Sequence, residues 1–280
     1  MRLDYMFFLE PDELRDFAQI HRKSYFQAKP FPHIVIDNFF PAEILEKVIY
    51  EFPTPEQIDW EKFNATTEKK LVSASENQMG MITRLFLYQL NSSNFIYFLE
   101  ALTGIDGLIP DPHFRWGGLH QIEKGGYFKI HADFNWYPQL CLDRRLVFLL
   151  YLNKDWKEEY GGHLELWNRD MTECVQRILP IFNRCVIFNT TDFSYHGHPD
   201  PLNCPEGETR KSLLLYYYTN GRPSDEVFPE HSTLFQERPG ERISRLSLTP
   251  KNILKKLLPP IFFDVRNYLQ PESLRRLKNH

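Results

Sequence analysis

A mainly β domain with supporting α-helices is what this sequence predicts, and three observations carry that prediction. From about residue 113 onward, short runs of β-branched, aromatic and aliphatic residues recur, separated by Gly, Asn, Asp and Pro. Ahead of them lie two segments with apolar residues at helical spacing. Aromatic residues make up 15% of the chain, enough to fill a densely packed sheet core. Strands at this spacing suit a sandwich or barrel, with the helices covering one face of a mainly antiparallel double sheet.

In chain order, the run Tyr5 to Leu9 is short and is followed by Glu10-Pro11-Asp12-Glu13, with an acid already at Asp4, so it does not read as a signal peptide. A helix is predicted from Pro41 to Tyr50, with the proline near its start and Ile44, Leu45, Val48 and Ile49 on one face. A second is predicted over Ser92 to Leu102, where Phe95, Phe98, Leu99 and Leu102 share a face and Gly104 ends it. The clearest strands are 145–152, 163–167, 184–188 and 212–218. After Gly221-Arg222-Pro223 the sequence turns loop-like, with short helices predicted around 250–258 and 271–278.

We therefore expect a support region at 1–112, a β core at 113–222 and a C-terminal appendage at 223–280, all serving one main domain. A length of 280 residues suits that organisation better than two equal domains. The longest apolar runs, such as Leu146 to Leu152, fall well short of the roughly 20 residues that span a bilayer, so no transmembrane helix is predicted. Cys141, Cys174, Cys185 and Cys204 form no Cys-x-x-Cys pair and read as reduced thiols, pointing to a cytoplasmic protein. The net charge of −4 gives no general case for nucleic-acid binding. It is unevenly spread, because residues 241–280 carry nine Lys/Arg against three Asp/Glu, hence +6, leaving −10 for the rest. That basic tail is a candidate contact for an acidic partner or a membrane surface.

The chemistry concentrates in His131-Ala132-Asp133. On an extended strand, residues two apart point to one face, so an imidazole and a carboxylate can grip one metal. A third ligand is expected from a distant strand, and Ser194-Tyr195-His196-Gly197-His198-Pro199 offers two histidines that strand periodicity alone does not separate. Two histidines and one carboxylate make the facial triad of iron(II) oxygenases, whereas a closed zinc site wants a fourth protein ligand. By itself, His-x-Asp is a weak signal. Arg210-Lys211-Ser212 strengthens it, since an arginine opening that strand can pair bidentately with a carboxylate such as the distal one of 2-oxoglutarate, with Ser212 facing the same side. Without the triad, Arg210 would read as a strand-edge cation.

The stretch from Gly125 to Tyr218 resembles the catalytic core of the prolyl-4-hydroxylase-type branch of the 2-oxoglutarate oxygenases, which includes the hypoxia-factor prolyl hydroxylases. The matching pieces are Gly126-Tyr127-Phe128-Lys129-Ile130-His131-Ala132-Asp133, Tyr151-Leu152-Asn153-Lys154-Asp155-Trp156, Gly161-Gly162-His163-Leu164, Ile187-Phe188, His196 and Arg210-Lys211-Ser212. The resemblance implies a double-stranded β-helix, a cupin-like jelly-roll whose mouth holds the iron. It implies His131, Asp133 and His196 as metal ligands, Arg210 as the anchor of 2-oxoglutarate and Tyr151 as its assistant. His196 takes the family's position, and His198 precedes Pro199 and is expected to turn away, toward substrate. Gln121 falls near where some relatives place a tyrosine contacting the metal end of 2-oxoglutarate, and its amide can donate a similar hydrogen bond.

The implied activity is a dioxygenase that consumes dioxygen, converts 2-oxoglutarate to succinate and CO2 and hydroxylates a substrate C–H bond, with ascorbate a candidate reductant. A prolyl protein or peptide is the nearest substrate, and the same core also serves small molecules, sugars and lipids. Asn135-Trp136-Tyr137 follows the metal motif closely enough for Trp136 and Tyr137 to line the substrate entrance. His113, His120 and His163 read as packing or surface residues, and Gly161-Gly162 as a turn. Two other classes stay open: a non-catalytic jelly-roll, which is expected to lack a ligand or the anchoring base whereas this sequence keeps all four, and a cupin-type metal hydrolase or isomerase, which does not account for Arg210 and Tyr151.

Overall fold

The computed structural model describes residues 8–243. Its elements are α1 (Pro11–Gln27), β1 (His33–Asp37), α2 (Ala42–Glu51), β2 (Glu61–Asn64), β3 (Glu68–Ser73), α3 (Met81–Leu90), α4 (Ser93–Thr103), β4 (Ile109–Pro110) and β5 (Gly118–Glu123). They continue as β6 (Tyr127–Ala132), β7 (Trp136–Tyr137), β8 (Leu142–Tyr151), β9 (Leu164–Trp167), β10 (Cys174–Ile178), β11 (Arg184–Asn189), β12 (His196–His198), β13 (Thr209–Thr219) and β14 (Leu234–Phe235). The helices predicted around 250–258 and 271–278 lie outside the described residues, as does all but the first residue of a second unit that begins at Ile243.

Apolar spacing explains α2 and α4, whose buried faces are Ile44, Leu45 and Val48, and Phe95, Phe98, Leu99 and Leu102. Gly104 ends α4 in the left-handed conformation at φ 68°. The sequence reading missed α1 because it buries only Leu14, Ala18 and Tyr25 in 17 residues, too thin a stripe to show as a period.

Every strand pairing is antiparallel, and the strands follow the order β1-β11-β8-β13-β5-β3-β6-β12-β9-β10. The sheet curls into the two facing layers of a double-stranded β-helix. Strand β8 is buried on both faces from Leu146 onward, which is why that part of its sequence is a continuous apolar run instead of an alternating one. Leu146, Phe148 and Leu150 pack under the helices, with the Phe148 ring 5.5 Å from Phe95 and 6.1 Å from Phe40. Val147, Leu149 and Tyr151 face the space between the layers, among Leu164, Leu166, Val186 and Phe188. Each such apolar side chain contributes about 1.5–3 kcal/mol by burial.

Two features shape the mouth of the roll. Strand β3 changes partner part-way: Glu68 and Lys69 pair with Phe128 and Tyr127 of β6, whereas Leu71 to Ser73 pair with Gln121 to Leu119 of β5, leaving Lys70 at the changeover. Beyond residue 222 the chain returns to the sheet. The β14 residues Leu234 and Phe235 pair with Ala132 and His131, and the Asn135 amide donates to the Pro229 carbonyl at 3.0 Å and accepts from the His231 amide at 3.0 Å. No helix among the described residues is long and apolar enough to cross a membrane.

Candidate metal and cosubstrate site

His131 is the penultimate residue of β6, Asp133 follows just past the strand, and His196 opens β12, where it lies opposite His131 in the strand register. One donor atom from each of the three can be chosen so that all lie within 4.8 Å of one another. His131 Nε2 is 3.5 Å from Asp133 Oδ1, and His196 Nε2 is 3.6 Å from Asp133 Oδ2. Each imidazole is held from behind, His131 Nδ1 lying 2.7 Å from the Lys129 carbonyl and His196 Nδ1 2.8 Å from that of Ser194. A carbonyl can only accept, so each Nδ1 carries the proton and each Nε2 presents a lone pair to the centre. His131 Nε2 is buried and has no hydrogen-bond partner among the described residues. A divalent cation satisfies that orphaned donor set, and two nitrogens plus one oxygen suit iron(II).

Asp133 is buried, and burial pushes its pKa up, but Arg144, His196 and His131 outweigh that and hold the carboxyl well below the usual carboxylate range. The closest cation is Arg144, whose Nη2 donates to Asp133 Oδ2 at 2.8 Å. Arg144 is 1% exposed, stacks 3.5 Å over Tyr216 and 4.3 Å over Phe134, and leaves Nε and Nη1 without partners. Sequence reasoning missed it, because Arg144-Arg145 at a strand start looks like a solvated pair.

Burial lowers His196 to about 4 and His120 to about 3. An unfolded histidine titrates near 6.5, so as pH falls from 6.5 the unfolded chain takes up protons that the folded one refuses, and stability is lost through that window. We expect the metal-free protein to lose at least about 2 kcal/mol between about pH 7 and about pH 5. Urea unfolding at the two pH values measures this, and equal stabilities would contradict it.

The trio faces an inner cleft of 70 Å³ whose far wall carries Arg210 and Ser212 of β13. Arg210 is buried, its Nε donating to the Gly162 carbonyl at 2.9 Å and its Nη2 to the Tyr151 hydroxyl at 3.1 Å. Burial lowers the Arg210 pKa, and no carboxylate among the described residues pairs with it. His198 also lines this inner cleft with its Nδ1 unpartnered, so it does not turn away. Gln121 is not brought to the site. On β5 the side chains alternate, so His120 and Ile122 face the cleft, whereas Gln121 points oppositely, accepting from Thr209 at 2.7 Å and donating to the Pro53 carbonyl. His120 thus stands where Gln121 was expected.

Outside the trio the cleft opens into a 520 Å³ cavity walled by Phe63, Trp116, Phe128, Phe134, Trp136 and Tyr216, with Arg144 at its floor. Trp136 lines this cavity, but Tyr137 is buried against Tyr218 and Trp116 in the core between the layers. Glu230 to Thr233, the approach to β14, form the rim.

Fold and site together define a class of protein. Residues 117–218 match the family model of the 2OG-Fe(II) oxygenase superfamily. The chain is similar to Prolyl 3-hydroxylase OGFOD1 of Mus musculus, 30% identical over 198 residues that cover 68% of this chain and 33% of that protein. The chain thus matches about a third of the length of this curated relative. Among solved structures, a Trichoplax adhaerens prolyl hydroxylase in complex with a hypoxia inducible factor oxygen degradation domain peptide fragment superposes with a TM-score of 0.50 at 15% identity, covering 74% of this chain and 91% of that one. A structure reported for prolyl 4-hydroxylases from Phytophthora capsici gives 0.50 at 18% identity, covering 80% and 71%. These likenesses show the double-stranded β-helix fold. The superfamily takes iron(II) as its metal and 2-oxoglutarate as its cosubstrate, with dioxygen consumed alongside.

Proposed function

We propose that the domain is a dioxygenase dependent on iron(II) and 2-oxoglutarate that hydroxylates a C–H bond, with a prolyl residue in a protein or peptide as the substrate class. One observation carries the reading: a buried His-Asp-His trio with an unsatisfied Nε2 looks along one cleft to a buried arginine that lacks a carboxylate, and opens the other way into an aromatic cavity. His131, Asp133 and His196 hold the metal, and Arg210, Tyr151 and Ser212 hold the far carboxylate of 2-oxoglutarate. Bound iron and cosubstrate supply dioxygen activation, with 2-oxoglutarate leaving as succinate and CO2 and the C–H bond gaining an oxygen.

The chain's own contribution is placement and dryness. Backbone carbonyls of Lys129 and Ser194 fix both imidazoles, and Arg144 holds Asp133 by Oδ2. Trp136 shapes the entrance. We also assign a cytoplasmic location, in keeping with four unpaired cysteines. The basic 241–280 stretch is read as a contact for an acidic partner or anionic membrane, which co-sedimentation with anionic vesicles tests.

The test of function is the optical spectrum of the anaerobic iron(II) protein on adding 2-oxoglutarate, followed by succinate formation in air with proline peptides. A spectrum that does not change on addition overturns the oxygenase reading. Gly162 offers a finer check. At φ +73° it has no room for a side chain, since a Cβ would fall 2.6 Å from Leu202 and 3.0 Å from Arg210 Cδ, whereas Gly161 at φ +71° has nothing within 4 Å. Alanine is expected to cost about 1–3 kcal/mol of stability at Gly161 from backbone strain alone, and more at Gly162, where the clash adds to the strain. Only Gly162→Ala should also weaken 2-oxoglutarate binding, by about tenfold; equal affinities in the two variants would separate Gly162 from the anchor.

A further inference from the structure

We propose that Lys70 binds the carboxylate at the metal end of 2-oxoglutarate, an inference that rests on the functional reading above. 2-Oxoglutarate is a dianion: Arg210 with Tyr151 accounts for one end, and the carboxylate at the metal end keeps lone pairs beyond those the metal uses, which a further cation can meet. Of the other two cations lining the inner cleft, Arg144 is engaged with Asp133, which leaves Lys70. Lys70 belongs not to the jelly-roll core but to β3, at the residue where that strand leaves β6 for β5, and it lines the inner cleft.

Its Nζ sits 3.5 Å over the centroid of Phe128, and the Phe128 ring is itself 3.9 Å from the His131 ring, so the ammonium is one ring away from the trio. Asp133 and Lys70 act on each other electrostatically. Lys70 is the side chain that borders both the inner cleft and the outer cavity on this strand, while its ion-pair partner Glu68, 2.9 Å away, borders the outer cavity alone. The pair therefore keeps the cation solvated by a carboxylate on one side, while the ammonium, with three donors, lines the cleft on the other. An arriving carboxylate gains a charge-assisted hydrogen bond without any need to bury a new cation.

The experiment titrates 2-oxoglutarate and 2-oxovalerate, which lacks the far carboxylate, into wild type, Lys70→Met, Lys70→Arg and Arg210→Ala. Binding is read by the spectrum of the anaerobic iron(II) protein and by calorimetry on the zinc(II) form. Lys70→Met should weaken both ligands by about tenfold and leave their ratio unchanged, Lys70→Arg should recover most of the loss, and Arg210→Ala should collapse the ratio. The double variant Lys70→Met with Glu68→Gln removes the stranded acid and should show the same loss in a stable protein. Wild-type affinity in Lys70→Met overturns the proposal, as does weakening of 2-oxoglutarate alone, which places Lys70 at the far end. A wild type that binds neither ligand overturns the functional reading, and this inference with it.

Discussion

Asp133→Ala should eliminate succinate formation and lower thermal stability at the same time. Outer-shell partners of metal ligands are worth about 10–100-fold in affinity or activity, so loss of the one carboxylate in the trio is expected to exceed about 100-fold. The second effect has a separate cause. Asp133 is the counter-ion of Arg144, which is 1% exposed and already has two nitrogens without partners. Removing one member of a buried ion pair leaves an uncompensated charge, at a cost of about 3–5 kcal/mol. For a domain of this size the melting temperature should fall by on the order of 10 °C. Metal analysis and a thermal melt of the same preparation check both halves. Retention of one equivalent of iron by the variant would remove Asp133 from the ligand set, and an unchanged melt would remove Arg144 from the argument.

Arg210→Ala behaves oppositely in one respect. The variant should bind 2-oxoglutarate about 100-fold more weakly, since a bidentate charge-assisted pair in a buried cleft is lost. It should nevertheless be no less stable than wild type when empty. Among the described residues Arg210, 3% exposed, donates to the Gly162 carbonyl and the Tyr151 hydroxyl and pairs with no carboxylate, so in the empty protein it is a buried cation without a counter-ion there. Burying a cation without a counter-ion costs stability, so its removal relieves that cost. Arg210→Lys keeps the charge but not the planar fork and should fall between the two. Calorimetric titration and a urea melt read these outcomes, and an Arg210→Ala protein that binds 2-oxoglutarate like wild type would leave the anchor elsewhere.

The pieces legible in the sequence are those whose signal is local. His131-Ala132-Asp133 and Arg210-Lys211-Ser212 carry their chemistry within three residues, and β8 and β13 announce themselves as apolar runs. Helices α2 and α4 showed their faces because four apolar residues fall at helical spacing in each. What stayed hidden depends on pairing over long distances. Lys70 lies in Glu68-Lys69-Lys70, which reads as a solvated charge run until β3 is seen to change pairing partner there. His120 and Gln121 differ by one residue, and a one-residue shift of register exchanges the faces of a strand. β14 is two residues long, and nothing in Leu234-Phe235 signals that it lies against the metal motif.

The two carbonyls behind His131 and His196 bear on how such a protein is supplied inside a cell. Because they lock each ring with its Nε2 bare before any ion arrives, the proposed site offers a finished half-shell that does not reshape itself around its guest. For such a donor set affinity rises from manganese through iron and cobalt to nickel and copper, with zinc also above iron. A rigid shell of this kind cannot prefer iron on strength alone. Its occupancy follows from which ion is free at the moment of folding, and starvation for iron would fill it with a tighter, idle competitor instead of leaving it vacant.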